Sequence, residues 1–184
     1  QITDGFIKED LGMLHKAEST MRRKREELKN SRRKEMIGFR KIDPEVAMEK
    51  NTWFHLGRNS CEEILYCLRR IADPCEEHVD NNFVPLSKEQ VKEYIPLRDT
   101  VLFLLRRTEK ILQTDSYDEV DEVRREAEEL KDCLEKAREA QMQRMQSSKE
   151  NIAVAYLYLN LLQETRELTS SLRHLFRASK GFRE

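Results

Sequence analysis

Apolar residues return at helical spacing through five long stretches of this chain, and residues that stop a helix are nearly missing from those stretches. Only 5 Gly and 4 Pro occur in 184 residues, less than half the usual share of roughly 12%. A fold of many short strands needs more turns than these residues supply. No segment alternates apolar and polar residues with the period of two that a half-buried strand requires. The expectation is therefore all-α: an elongated antiparallel helix bundle of about five long helices, in a single domain over residues 1–184. Helices of about 25 to 38 residues run roughly 40 to 55 Å at the usual rise, which predicts a rod rather than a sphere.

The first helix is expected over residues 4–41, with Ile7, Leu11, Leu14, Ala17, Met21 and Leu28 as its stripe. Asp43-Pro44 breaks the chain, because the residue before proline disfavours the α region and proline suits a first helical turn. A second helix, residues 44–81, carries Trp53, Leu56, Ser60, Ile64, Cys67, Ile71 and Cys75 on one face, and Pro74 is expected to bend it without ending it. Ser87 and Gln90 make a capping box for a third helix over residues 87–113. Its core face reads as Val91, Ile95, Val101, Leu102, Leu105 and Leu112. Asp115-Ser116 with Glu119 is a further expected cap, opening a fourth helix with the seam Val120, Val123, Ala127, Leu130, Leu134 and Ala137. A turn is expected at Ser147-Ser148. The fifth helix, residues 150–179, is apolar nearly all round over residues 152–162, which predicts a central place in the bundle. Gly181 reads as its terminator.

The apolar run at residues 152–162 is interrupted by Asn160 and falls well short of the roughly 20 residues that span a bilayer. The chain opens on Gln1 with no basic-then-apolar signal segment before its first periodic run, which leads to the expectation of either a processed chain or a piece of something longer. Cys61, Cys67, Cys75 and Cys133 lack metal-knuckle spacing and read as reduced thiols of a cytosolic protein.

Charge is high and balanced, 34 Lys plus Arg against 35 Asp plus Glu, which excludes a surface built throughout for polyanions. It is also segregated. Residues 1–41 hold 12 cations against 7 carboxylates, and residues 115–139 hold 5 against 11. Arg22, Arg23, Lys24, Arg25, Arg32, Arg33 and Lys34 form the basic patch. One reading lays this helix beside the acidic one as complementary solvated faces. Another turns it toward a membrane surface or a protein partner, where each cation near an anionic leaflet gains roughly 1 kcal/mol. Nucleic acid is disfavoured, because no aromatics interleave the cations and Glu26, Glu27 and Glu35 sit among them.

Asp73-Pro-Cys-Glu-Glu-His-Val-Asp80 places Asp73 with Glu77 on one helix face and His78 nearby, a donor set for a hard or borderline cation. In a chain that is 38% charged, such clusters also arise on solvated faces. No nucleophile elbow, phosphate-binding glycine loop or H-E-x-x-H occurs. His15, His55 and His174 are scattered, and no histidine has Glu three residues before it, as a ferritin-like di-metal site requires. No enzymatic activity and no catalytic residue are expected.

Two segments carry a family resemblance. Glu62-Glu63-Ile-Leu-Tyr-Cys-Leu-Arg-Arg-Ile-Ala-Asp73 and Ala155-Tyr-Leu-Tyr-Leu-Asn-Leu-Leu-Gln-Glu-Thr-Arg-Glu-Leu resemble the signature helices of the PhoU family. The stretch Gly5-Phe-Ile-Lys-Glu-Asp-Leu-Gly-Met-Leu-His-Lys-Ala-Glu with the basic run after it resembles the segment that follows the last membrane span of sodium/phosphate cotransporters with a cytosolic PhoU-like domain. The resemblance covers essentially the whole chain. It implies a regulatory or scaffolding module of phosphate uptake on the cytosolic side of the inner membrane. Its candidate partners are its own transmembrane transporter domain, signalling proteins, a second copy and, through the first helix, the membrane surface. PhoU proteins hold metal clusters through a Glu-x-x-x-Asp motif whose Asp matches Asp73; its Glu falls at Arg69 here, and Glu164-Thr-Arg-Glu167-Leu replaces the motif in the last helix. The metal candidates that remain are Asp73, Glu77, His78 and Glu164, and no cofactor is expected beyond such an ion.

Overall fold

A computed structural model describes residues 1–114, 116–147 and 150–183, without the side chains of Arg33, Met36, Phe39 and Ser147. Its described residues form an all-α bundle of six helices: α1 Ile2–Ile7, α2 Leu11–Phe39, α3 Pro44–Asp80, α4 Lys88–Thr114, α5 Val120–Ser147 and α6 Ile152–Arg183. No strand occurs among them.

The expected first helix is two. Glu9 takes φ 53°, and the Asp10 carboxylate accepts from the Met13 amide at 3.0 Å, capping α2 afresh. The chain thus folds α1 back onto α2. Gly5 permits the close approach, since a Cβ there would lie 3.0 Å from Met13 Cβ and 3.1 Å from Leu14 Cγ.

α3 and α6 form the central antiparallel pair, and the central place of α6 is the one its apolar run over residues 152–162 predicted. Arg70 of α3 reaches Glu164 of α6, and further along Gly57 packs near Ala178. α2 lies on α3, α5 on α6, and α4 fits against both α5 and α6. Ion pairs at opposite ends set α4 and α5 antiparallel: Arg144–Glu93 at 2.7 Å and Arg107–Glu126 at 3.0 Å.

Pro74 stays inside an unbroken α3. Proline leaves the carbonyl four residues back without its helical partner, and the Asn160 side-chain amide donates to that oxygen, on Arg70, at 3.3 Å. The one polar residue in the apolar run of α6 therefore answers the one proline inside α3. Ser87 and Gln90 close the expected capping box, the Ser87 amide donating to Gln90 Oε1 at 2.9 Å and the Gln90 amide to Ser87 Oγ at 3.1 Å.

Three local expectations are corrected. α4 buries Gln90, Tyr94, Val101, Leu104, Thr108 and Ile111, so its core face is rotated from the expected one and leaves Leu102 42% exposed. Ser116 and Glu119 do not cap α5. The Ser116 hydroxyl donates to Asp118, and the Glu119 carboxylate accepts from Arg107; Asp115 lies outside the described residues. Gly181 does not end α6, which continues to Arg183. A Cβ at Gly181 would sit 2.4 Å from the Trp53 indole, so the glycine serves close packing on α3. The turn expected at Ser147-Ser148 falls at residues outside the described ones, between α5 and α6.

Candidate functional site

The four metal candidates each meet a different environment. The Asp73 carboxylate is exposed and accepts from Arg69 Nε at 2.9 Å, one helical turn earlier. Glu77 is exposed, and its backbone carbonyl accepts from the Asn81 side chain. His78 is buried, with Nε2 2.7 Å from the Val84 carbonyl. The rings of Phe6 and Phe83 stand edge-on to it, with centroids 5.6 and 5.4 Å away. This histidine fastens the α3–α4 loop to α1. Glu164 is buried and accepts from Arg70 Nε at 2.7 Å. Burial raises its carboxyl above the ordinary 4.5, and the Arg70 guanidinium pulls the other way.

These side chains do not converge. Among the described residues, no group of three or more His, Cys, Asp and Glu is placed to hold a metal ion. Arg69, at the position where the PhoU resemblance would put a Glu ligand, pairs with Asp73, and Arg70 pairs with Glu164.

The four cysteines are free. Burial pushes the Cys67 thiol up to about 11 and the Cys75 thiol up to about 12. Both are therefore protonated at neutral pH and poor nucleophiles. Of the scattered histidines, His15 lies 3.2 Å from Glu76 across the α2–α3 contact, a neighbour that sequence spacing does not reveal.

The basic patch lies along α2 and does not face the acidic helix. α2 packs against α1 and α3, whereas α5 packs against α4 and α6. The charges of α5 are used instead toward α4 and α6: Arg107 gathers Glu119, Glu122 and Glu126, and Arg173 meets Glu128. On α2, Arg22, Arg23, Lys24, Arg25, Arg32 and Lys34 are all exposed, and nothing is described of the Arg33 side chain. Arg22 pairs with Glu18, and Lys24 with Glu27, within the helix. A cleft of about 600 Å³ separates this part of α2 from α3. Met21, Leu28 and Leu65 contribute apolar surface to it, and Arg25, Lys29 and Glu62 charge.

Two polar centres escape a reading by sequence. Arg58 is buried under α2 and donates to Glu35 at 2.7 Å and to the Leu28 carbonyl at 2.6 Å. Between α4, α5 and α6, Gln90 donates to Gln141, Arg144 donates to Glu93, and the Tyr158 hydroxyl donates to Glu93 at 3.1 Å. One signal for this network was legible, since Gln141 follows Ala137 by four residues and so prolongs the seam of α5. The arrangement binds helices to one another. Comparison with known protein families, with curated proteins and with solved structures finds no match to this chain.

Proposed function

We propose that this chain is a non-catalytic regulatory or scaffolding module of sodium-dependent phosphate uptake, the cytosolic PhoU-like part of a membrane transporter. It works through contacts with its own transmembrane domain at the cytosolic face of the inner membrane. The observation that supports this reading is the outward basic face of α2, which the acidic helix of the same chain leaves uncovered. Among the described residues no helix is long and apolar enough to cross a membrane, so such a module would dock rather than insert. Regulation then follows as a coupling free energy: docking at one position of the transport cycle favours that position. The resemblance of residues 62–73 and 155–168 to PhoU signature helices supplies the transporter; the basic face supplies only the docking.

Phosphate uptake by the full transporter, with and without these residues, tests the proposal. Altered uptake or an altered response to external phosphate is expected, and equal values in both would reject it. The same basic face also favours a second reading, a free-standing helical adaptor whose α2 binds an acidic partner or nucleic acid. Several apolar runs of about 20 residues encoded before Gln1 are expected for the transporter. Their absence would favour the adaptor.

A further inference from the structure

α2 and α3 form a hairpin whose tip outruns the bundle. The end of α6 sits level with Trp53, where Gly181 lies under the indole and Phe182 is 6.4 Å from Phe54, centroid to centroid. Residues 44–52 of α3 continue past that level by roughly 13 Å at the usual helical rise. Of the described side chains in residues 37–48, all but Ala47 are exposed. Ile37 is 52%, Ile42 46%, Val46 45% and Met48 81% exposed. Four large apolar side chains on one small projection exceed what scattered surface residues explain.

The charges of this arm are unmet as well. Lower on α2, Arg22, Lys24 and Lys29 pair with Glu18, Glu27 and Glu26. Lys34, Arg40 and Lys41 at its end, and Glu45 and Glu49 at the start of α3, have no ion-pair partner among the described residues. Next to the turn, Arg40 and Lys41 lie on the α2 side and Asp43, Glu45 and Glu49 on the α3 side; farther out, Glu35 pairs with Arg58 and Lys50 follows on α3. Residues 34–50 carry four of each and sum to zero, a poor match to an anionic bilayer and a good match to a surface of the same kind.

We propose that the hairpin tip is a homodimerisation surface, with Arg40 and Lys41 of one copy facing Glu45 and Glu49 of the other across a shared apolar centre of Ile37, Ile42, Val46 and Met48. In an isologous pair each contact forms twice, so separated charges on one surface become complementary. Two helical hairpins side by side make a four-helix arrangement, which covers apolar faces that a hairpin alone leaves wet. The pairing is independent of any role in phosphate uptake.

Sedimentation velocity of the whole chain over micromolar concentrations tests it. A monomer–dimer equilibrium is expected. Arg40→Glu with Lys41→Glu makes the tip acidic throughout, and Glu45→Lys with Glu49→Lys makes it cationic. Each double variant is expected to keep its helical circular dichroism and to dimerise about tenfold more weakly or worse. An equimolar mixture of the two is expected to recover association as a heterodimer. A chain that stays monomeric, variants that associate as the parent does, or a mixture that stays monomeric would each overturn the proposal. Binding of a monomer to phosphatidylglycerol vesicles in place of self-association would overturn it too and assign the tip to lipid.

Discussion

Gly181 shows how a residue's meaning depends on what lies across from it. Near the end of a helical pattern, glycine ordinarily marks a stop. Here it lies inside α6, where glycine is disfavoured by about 1 kcal/mol relative to alanine, because a Cβ would fall 2.4 Å from the Trp53 ring. Gly181→Ala should therefore destabilise the chain by on the order of 1 kcal/mol, overpacking outweighing the gain in helix propensity. Denaturant unfolding followed by Trp53 fluorescence measures this, and unchanged stability with unchanged emission would refute it. Asn160 is a second residue of this kind. Its position in the apolar run was plain from sequence, but its partner, the Arg70 carbonyl exposed by Pro74, was not.

At the scale of elements, the seam of α5 was fully legible, because steps of three and four left one consistent face. Val120, Val123, Ala127, Leu130 and Leu134 are all buried. α4 was misread because Leu102, Phe103, Leu104 and Leu105 offer apolar residues in every direction. The choice among them belongs to α5 and α6, which take Tyr94, Val101, Leu104 and Ile111. Leu104→Ala should cost about 2–5 kcal/mol, and Leu102→Ala about 1 kcal/mol or less. Comparable losses in chemical denaturation would argue against this register. The α1–α2 break was missed for a related reason: Asp10 is a cap signal, but the stripe Ile7, Leu11, Leu14 runs straight through it.

For the whole molecule, ion pairs add an acid dependence whose sign follows from the carboxylates. The hydrogen bond from Lys24 lowers Glu27, that from Arg107 lowers Glu122, and that from Arg138 lowers Glu135. A lowered carboxylate contributes stability above its ordinary value of 4.5 and loses it as pH falls through the lowered one. Glu164, raised by burial, acts in the opposite sense. With three against one, the melting temperature should fall as pH drops below 4.5, and high salt should shrink the drop because the carboxylates of these pairs reach solvent. A melting temperature flat across that window at low salt would contradict it. Helicity, the approximate spans, the central place of α6 and the segregation of charge were determined by the sequence alone, because each rests on spacing or composition along one segment. The pairing of α3 with α6, the separation of basic α2 from acidic α5, the dispersal of Asp73, Glu77, His78 and Glu164 and the bare tip of the α2–α3 hairpin were decided only by the tertiary structure. The physical reason is that each depends on which faces share one packed interior, and periodicity within a helix carries no information about its neighbour.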